Sequence, residues 1–398
     1  MFSLKNGDMP LVLLFTLLSV GLCFTPTGFE ERIDARAVRC KAQVLNVDDS
    51  QVVLTGMIRH GQQGVTLKML DGPYEGEVVN STNLLMGRMD IDKLFAQGDM
   101  ALAVITPDEN NGMGMVVPQD HYRLDLEVFL LCLFAALLLI FGGWTGAKAL
   151  LSFVFTGLVL WKALVPLMLR GYDPVLLSLG IVTLLTAAII FLVAGFTRKG
   201  LSAFLGAFLG VASSCLLSIY FTDALRLHGA VMPFAETLLY SGYGHLDLTR
   251  IYSAAVFLAA SGAVMDLGMD VSASLEEVTA ENPNMTFFEA AKSGIRVGRA
   301  VVGTMTTTLL LAYSGGFVTL MMAFMAQGVP AANFFNMIFV AAEVLKTLVG
   351  SFGLVLVAPF TAVTGAWIFT RKRKIRVSDS SGVPRGSARF VRSPSEAG

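Results

Sequence analysis

Two periods of hydrophobicity divide this chain. From residue 126 onward, apolar residues run on with few interruptions, and a membrane-crossing helix needs about 20 of them in a row. Residues 126–141, 149–169, 174–196, 201–221 and 251–270 each predict a span. Residues 297–326 predict another, interrupted at Ser314-Gly315-Gly316. The run 334–369 is too long for one straight span, so its first third reads as tilted or broken. Residues 11–24, behind Lys5, form a shorter run that fits a signal-peptide core or a short anchor. The residues before Cys23 and Phe24 are not the small pair that cleavage requires, which favours an uncleaved signal anchor. The pattern thus predicts eight spans.

Between the anchor and residue 125 the period falls to two. Residues 38–44, 51–57, 65–70, 77–79 and 100–105 alternate apolar and polar positions, with Asp71-Gly72-Pro73 marking a turn. Five short strands at even spacing predict a small β-barrel or sandwich. The expected fold is mostly α: a polytopic helical membrane bundle of about eight spans, with a small extracytoplasmic β-barrel-like module after the first span. The expected divisions are 1–24, an anchor; 25–125, the β-rich module with its core at 38–106; 126–370, the membrane domain; and 371–398, a basic, disordered tail. Val383-Pro384-Arg385-Gly386-Ser387 in that tail reads as the remnant of a protease-cleavable tag and is set aside.

Composition agrees with the pattern. Of 398 residues, 54% are hydrophobic and only 15% charged, against about a quarter charged in soluble domains. This excludes a soluble enzyme, a disordered protein and a nucleic-acid binder. The net charge of -1 conceals an uneven distribution: residues 25–125 are acidic on balance, and the tail is strongly basic. Lys148, Arg198, Lys199, Lys292, Arg296 and Arg299 fall in turns on one side, together with Arg371-Lys372-Arg373-Lys374. That bias puts both termini in the cytoplasm and residues 25–125 outside, in a bacterial cytoplasmic membrane. Four scattered cysteines and four scattered histidines predict neither a disulfide framework nor a metal site.

Candidate chemistry is sparse. Ala255, Ala259, Ala263, Asp266 and Asp270 share one helical face, and small residues let helices approach closely. The two carboxylates are therefore expected to point into the bundle, and carboxylates within spans are functional candidates. The bland alternative is hydration at the interface, or pairing with Arg296 or Arg299. Thr304, Thr306, Thr307 and Thr308 offer hydroxyls to an ion or return them to helical carbonyls. The break at Ser314, Gly315 and Gly316 is the kind that transporters use at binding sites. Glu343 and Lys346 form a second charge pair, local at i, i+3, although Lys162 is another possible partner for Glu343. The Ser202, Gly206 and Gly210 row reads as packing. No Walker A loop, nucleophile elbow or zincin motif occurs in the sequence, and no enzyme activity or cofactor is expected.

The run from Gly262-Ala263-Val264-Met265-Asp266 through Gly268-Met269-Asp270 to Glu276-Glu277 resembles the signature of the YibE/F membrane proteins. Asn282-Pro283-Asn284, Lys292-Ser293-Gly294 and Gly303-Thr304-Met305-Thr306-Thr307-Thr308-Leu309 follow in that family's order. Leu70-Asp71-Gly72-Pro73-Tyr74-Glu75-Gly76 also looks like the family's β-segment, and Gly268 stands where alanine is expected. The resemblance implies a bacterial multi-span protein and brings no settled activity. The expected function is a transporter or channel for a small solute or ion. Asp266 and Asp270 would handle the charge, and Thr304, Thr307 and the Ser314-Gly315-Gly316 break would line the path. The rival is a scaffold whose outer module binds envelope or export partners. Expected partners are the lipid bilayer and the solute or ion, with a homodimer allowed by the glycine-rich faces and no nucleic acid.

Overall fold

A computed structural model describes residues 9–108 and 112–371. The tail and tag-like motif expected beyond Arg371 lie outside the described residues. The chain divides into two units, one spanning 26–143 and the other running from Trp144 onward together with the segment up to Thr25.

The first unit is a single antiparallel sheet of β1 (Val38–Thr55), β2 (Ile58–Met69), β3 (Val78–Met86), β4 (Met100–Pro107) and β5 (Met113–His121), in the order β3-β2-β1-β4-β5. β1 to β3 form a meander and β4 returns beside β1, which is a Greek key. The Ser81 hydroxyl on β3 donates to the Val116 carbonyl on β5 at 2.5 Å. The edge strands thereby approach each other, and the sheet nearly closes into a five-stranded barrel of the OB kind. Alternate residues of β1, β2 and β4, among them Ala42, Val44, Leu67, Met69, Ala103 and Ile105, fill its interior.

Two strand expectations need correction. Residues 38–44 and 51–57 were expected as two strands but belong mostly to the single strand β1. Its register against β2 shifts between Asp48 and Gln51, so an irregularity accounts for the polar interruption. β5 falls beyond the expected core at 38–106. Its Pro118 cannot donate to the ladder, and it sits beside a register shift between Leu102 and Ala103, where that loss is tolerated.

The helices are α1 (Met9–Phe24), α2 (Leu124–Val159), α3 (Val165–Leu169), α4 (Pro174–Ala194), α5 (Arg198–Ala224), α6 (Ala235–Leu238), α7 (Leu248–Glu281), α8 (Phe287–Gly315), α9 (Val318–Ala326), α10 (Ala331–Asn336) and α11 (Ile338–Arg371). Among the described residues, five continuous helical stretches are long and apolar enough to cross a membrane: Leu124–Leu169, α4, α5, α7 and α11. The pair α8 and α9, bent by 65°, makes a sixth when taken as one broken span. The expected eight differ from this in two ways. They include α1, which has 16 residues, and they divide Leu124–Leu169, where the helix is broken only at Gly143 (φ 51°, ψ −124°). The break expected in the first third of 334–369 lies at Met337, whose extended backbone separates α10 from an unbroken α11.

In the second unit α7 is the hub, packed against α4, α5, α8 and α11. Its buried face carries Val256, Ala260, Val264, Leu267, Val271 and Leu275. Hydrogen bonds tie it to its neighbours. Ser218 of α5 donates to the Ser253 carbonyl at 2.8 Å, Ser272 donates to the Lys199 carbonyl at 2.8 Å, and Tyr252 donates to the Ala342 carbonyl of α11 at 2.5 Å. Small residues let these helices come close: a Cβ on Gly298 of α8 would lie 2.5 Å from the Ala358 Cβ of α11. After α7 the chain turns at residues 282–286. Thr286 and Glu289 there form a capping box that satisfies the first free N–H groups of α8.

Candidate functional site

The carboxylates sit where α4, α7 and α8 meet. Asp173 caps α4, accepting from the Val175 and Leu176 N–H groups at 3.1 and 2.9 Å. The same carboxylate pairs with the Arg250 guanidinium in the first turn of α7. Burial works to raise the Asp173 pKa, but the Leu176 N–H and Arg250 outweigh it and hold the carboxyl below the ordinary range. The pair sets the starts of α4 and α7 side by side. Further along the two helices, Ile190 and Asp266 line one cavity of about 380 Å³. Ile189, Ile190 and Val193 come from α4; Met265, Asp266, Met269 and Asp270 come from α7; and Met305 comes from α8.

The orientation of the acidic face differs from the expectation. Asp266 and Asp270 share a face with Ala259 and Gly262, and within the chain all four are exposed. The tight helix packing uses the opposite face, where Ala260 lies against Gly350 and Gly268 against Ala203 and Ala207. The carboxylates thus open onto the gap between α4 and α8 and are not enclosed by the bundle. Among the described residues no ion pair joins either of them to Arg296 or Arg299.

The remaining candidates lie elsewhere. Thr304 and Thr307 are exposed on α8, and their hydroxyls donate to the carbonyls of Val301 at 2.9 Å and Gly303 at 3.2 Å. Thr306 and Thr308 also bond back along their helix. Neither Thr304 nor Thr307 lines the carboxylate cavity. α8 ends at Gly315, with Gly316 as its cap. Ser314 faces a second, mainly apolar cavity of about 230 Å³ with Tyr313, Phe317, Phe334 and Glu343. Glu343 accepts from Lys346 at 2.6 Å, the local pair, and Lys162 instead donates to the Thr25 carbonyl at 3.1 Å. Asp266 and Asp270 thus line the first cavity and Ser314 and Glu343 the second, while Thr304 and Thr307 line neither. Sequence reasoning passed over the three methionines of the first cavity. The signal for two of them is the Met-Asp dipeptide that recurs four residues apart, at 265–266 and 269–270.

The family model of YibE/F-like proteins matches residues 130–371. The chain belongs to the YibE/F family. The match takes in α4, α7 and α8 and hence every wall of the carboxylate cavity. It does not extend to the β-unit, for which a family likeness was expected. No curated protein and no solved structure matches this YibE/F chain.

Proposed function

We propose that this YibE/F protein moves a small solute or ion across the bacterial cytoplasmic membrane, with Asp266 and Asp270 as the charge-handling groups. The observation that carries this reading is the cavity between α4, α7 and α8, into which both carboxylates open. Charged groups at membrane depth are costly and are retained where they face a pathway or a partner. In this reading the protein has eight spans: α1, the two arms of α2 on either side of Gly143, α4, α5, α7, the bent α8–α9 pair and α11. An even count agrees with the positive-inside bias, with both termini cytoplasmic and residues 25–125 outside. Thr304 and Thr307 are left out of the path, since their donors are spent on their own helix.

The test is ion and proton flux in proteoliposomes, comparing wild type with Asp266→Asn and Asp270→Asn proteins of unchanged size-exclusion profile. Loss of flux with either aspartate supports the reading, and undiminished flux in both variants overturns it.

One observation favours a second reading, in which the β-unit is a docking module and the bundle only its anchor. At one end of the barrel Leu54, Met57 and Met86 are 63%, 84% and 70% exposed, and clustered exposed apolar side chains mark interaction surfaces. This scaffold reading expects wild type to pass no ion on a broad panel. It also expects deletion of residues 38–106, and not Asp266→Asn, to be the damaging change.

A further inference from the structure

We propose that the α4–α7–α8 cavity is a site for a soft monovalent metal cation of the Cu(I) or Ag(I) class. The thioethers of Met265, Met269 and Met305 would hold the ion, and Asp266 and Asp270 would balance its charge. The proposal deepens the transport reading and rests on it for the claim that the bound ion is cargo.

The donor set points to this class. At the chain's overall frequency of 19 methionines in 398 residues, eight wall positions would hold fewer than one, and three are methionine. Met265 and Met269 are four residues apart, so they lie one above the other on α7, and Met305 reaches the same cavity from α8. Methionine also serves as a flexible filler of irregular gaps, but a filler has no need of carboxylates. Here each α7 methionine is followed directly by an aspartate. Thioethers select Cu(I) over the harder divalent ions, whose preferred donors are carboxylates, carbonyls and imidazoles. Among the described residues no group of three His, Cys, Asp or Glu converges, so a donor set for zinc or calcium is not assembled here. A thioether is neutral and leaves the charge of the ion uncompensated, and the aspartates beside it supply that compensation.

Silver ion is the probe, because it has the coordination preference of Cu(I) without its redox chemistry. The full chain in detergent, its accessible thiols blocked with N-ethylmaleimide, is titrated with silver nitrate in chloride-free buffer. It is compared with the Met265→Leu/Met269→Leu/Met305→Leu variant, whose side chains conserve volume. The expected result is loss of about one equivalent of bound silver, or binding at least roughly tenfold weaker, since even outer partners of a metal ligand cost that much. Equal stoichiometry and affinity would overturn the proposal. X-ray absorption on the thiol-blocked wild type does not depend on the variant folding: a shell of sulfur scatterers is expected, and a shell of oxygen or nitrogen alone counts against the site. The two readings fail separately. Aspartate-dependent flux of other ions with no methionine-dependent silver binding sinks the soft-cation site and leaves transport standing. Methionine-dependent binding with no silver flux in proteoliposomes keeps the site and removes the claim that the bound ion is cargo.

Discussion

Gly206 of α5 meets Thr361 of α11 so closely that a Cβ on the glycine would fall 1.9 Å from the threonine Oγ1 and 2.8 Å from its Cα. Backbone is involved, so no rotamer change makes room. Gly206→Ala is expected to push α5 and α11 apart and to cost roughly 1–3 kcal/mol, the usual range for overpacking. Gly262→Ala is the control, because nothing lies within 4 Å of its added methyl. Thermal unfolding in detergent should show a lowered midpoint for the first variant and none for the second.

The β-unit is closed at one end by a buried amide. Gln63 is fully buried, and its Nε2 donates to Asp49 at 2.8 Å and to the Phe95 carbonyl at 3.0 Å. Its Oε1 accepts from the Phe95 N–H at 3.0 Å and from Asn83 at 3.1 Å. Gln63→Ala leaves those groups unpaired, at about 1–3 kcal/mol for each one stranded in the interior. Hydrogen exchange of residues 93–96 should accelerate. Gln63→Glu should be worse than a simple isostere, because it sets an acceptor against the Asp49 carboxylate and the Phe95 carbonyl.

Acid should loosen the loop after β3. Asp92 accepts from the Met86 N–H at 3.0 Å and the Arg88 N–H at 2.7 Å, and these bonds hold its carboxyl below the ordinary range. A lowered folded-state pKa contributes stability that is present above the unfolded pKa, about 3.9 for aspartate. That stability is lost as the pH falls through the lowered folded value. Protection of the Met86 and Arg88 amides, corrected for intrinsic exchange, should therefore hold at neutral pH and decline below about pH 4. In Asp92→Asn the decline should be absent.

Asp173 serves both a helix cap and an ion pair, and two substitutions separate them. Asp173→Asn keeps a capping acceptor and removes the charge facing Arg250. Asp173→Ala removes both, and loss of the cap alone costs about 0.5–2 kcal/mol. The alanine variant should melt lower than the asparagine variant, and the gap between them measures the cap. Both changes should disturb the alignment of α4 with α7, read as faster alkylation of a cysteine introduced at Val193.

Sequence alone discloses the long apolar elements, because each run of about 20 apolar residues has few alternatives to a membrane helix. It also discloses that Asp266 and Asp270 share a face, since that follows from the helical period. The direction of that face is another matter. α7 has small residues on both sides, Ala255 and Ala259 on one and Ala254, Ala260 and Gly268 on the other. Its neighbours, not its own pattern, decide which side packs. β5 is hidden for a similar reason: Gly114 and Pro118 speak against a strand locally, and pairing with β4 overrides them. The cavity's third methionine, Met305, stands 36 positions from Met269 with no local mark, and only tertiary structure unites them.

The place of α11 in the chain also bears on how the protein is made. It lies against α5, α7 and α8, and all three precede it in the chain. Synthesis is vectorial, so each of them leaves the ribosome before the helix that unites them. Until Ile338–Arg371 emerges, the notch at Gly298 and the carbonyl-seeking hydroxyl of Tyr252 have no counterpart. The packing of α7 on α4, α5 and α8 is already available to the nascent bundle, and the contacts of α11 with α5, α7 and α8 are laid over it afterwards.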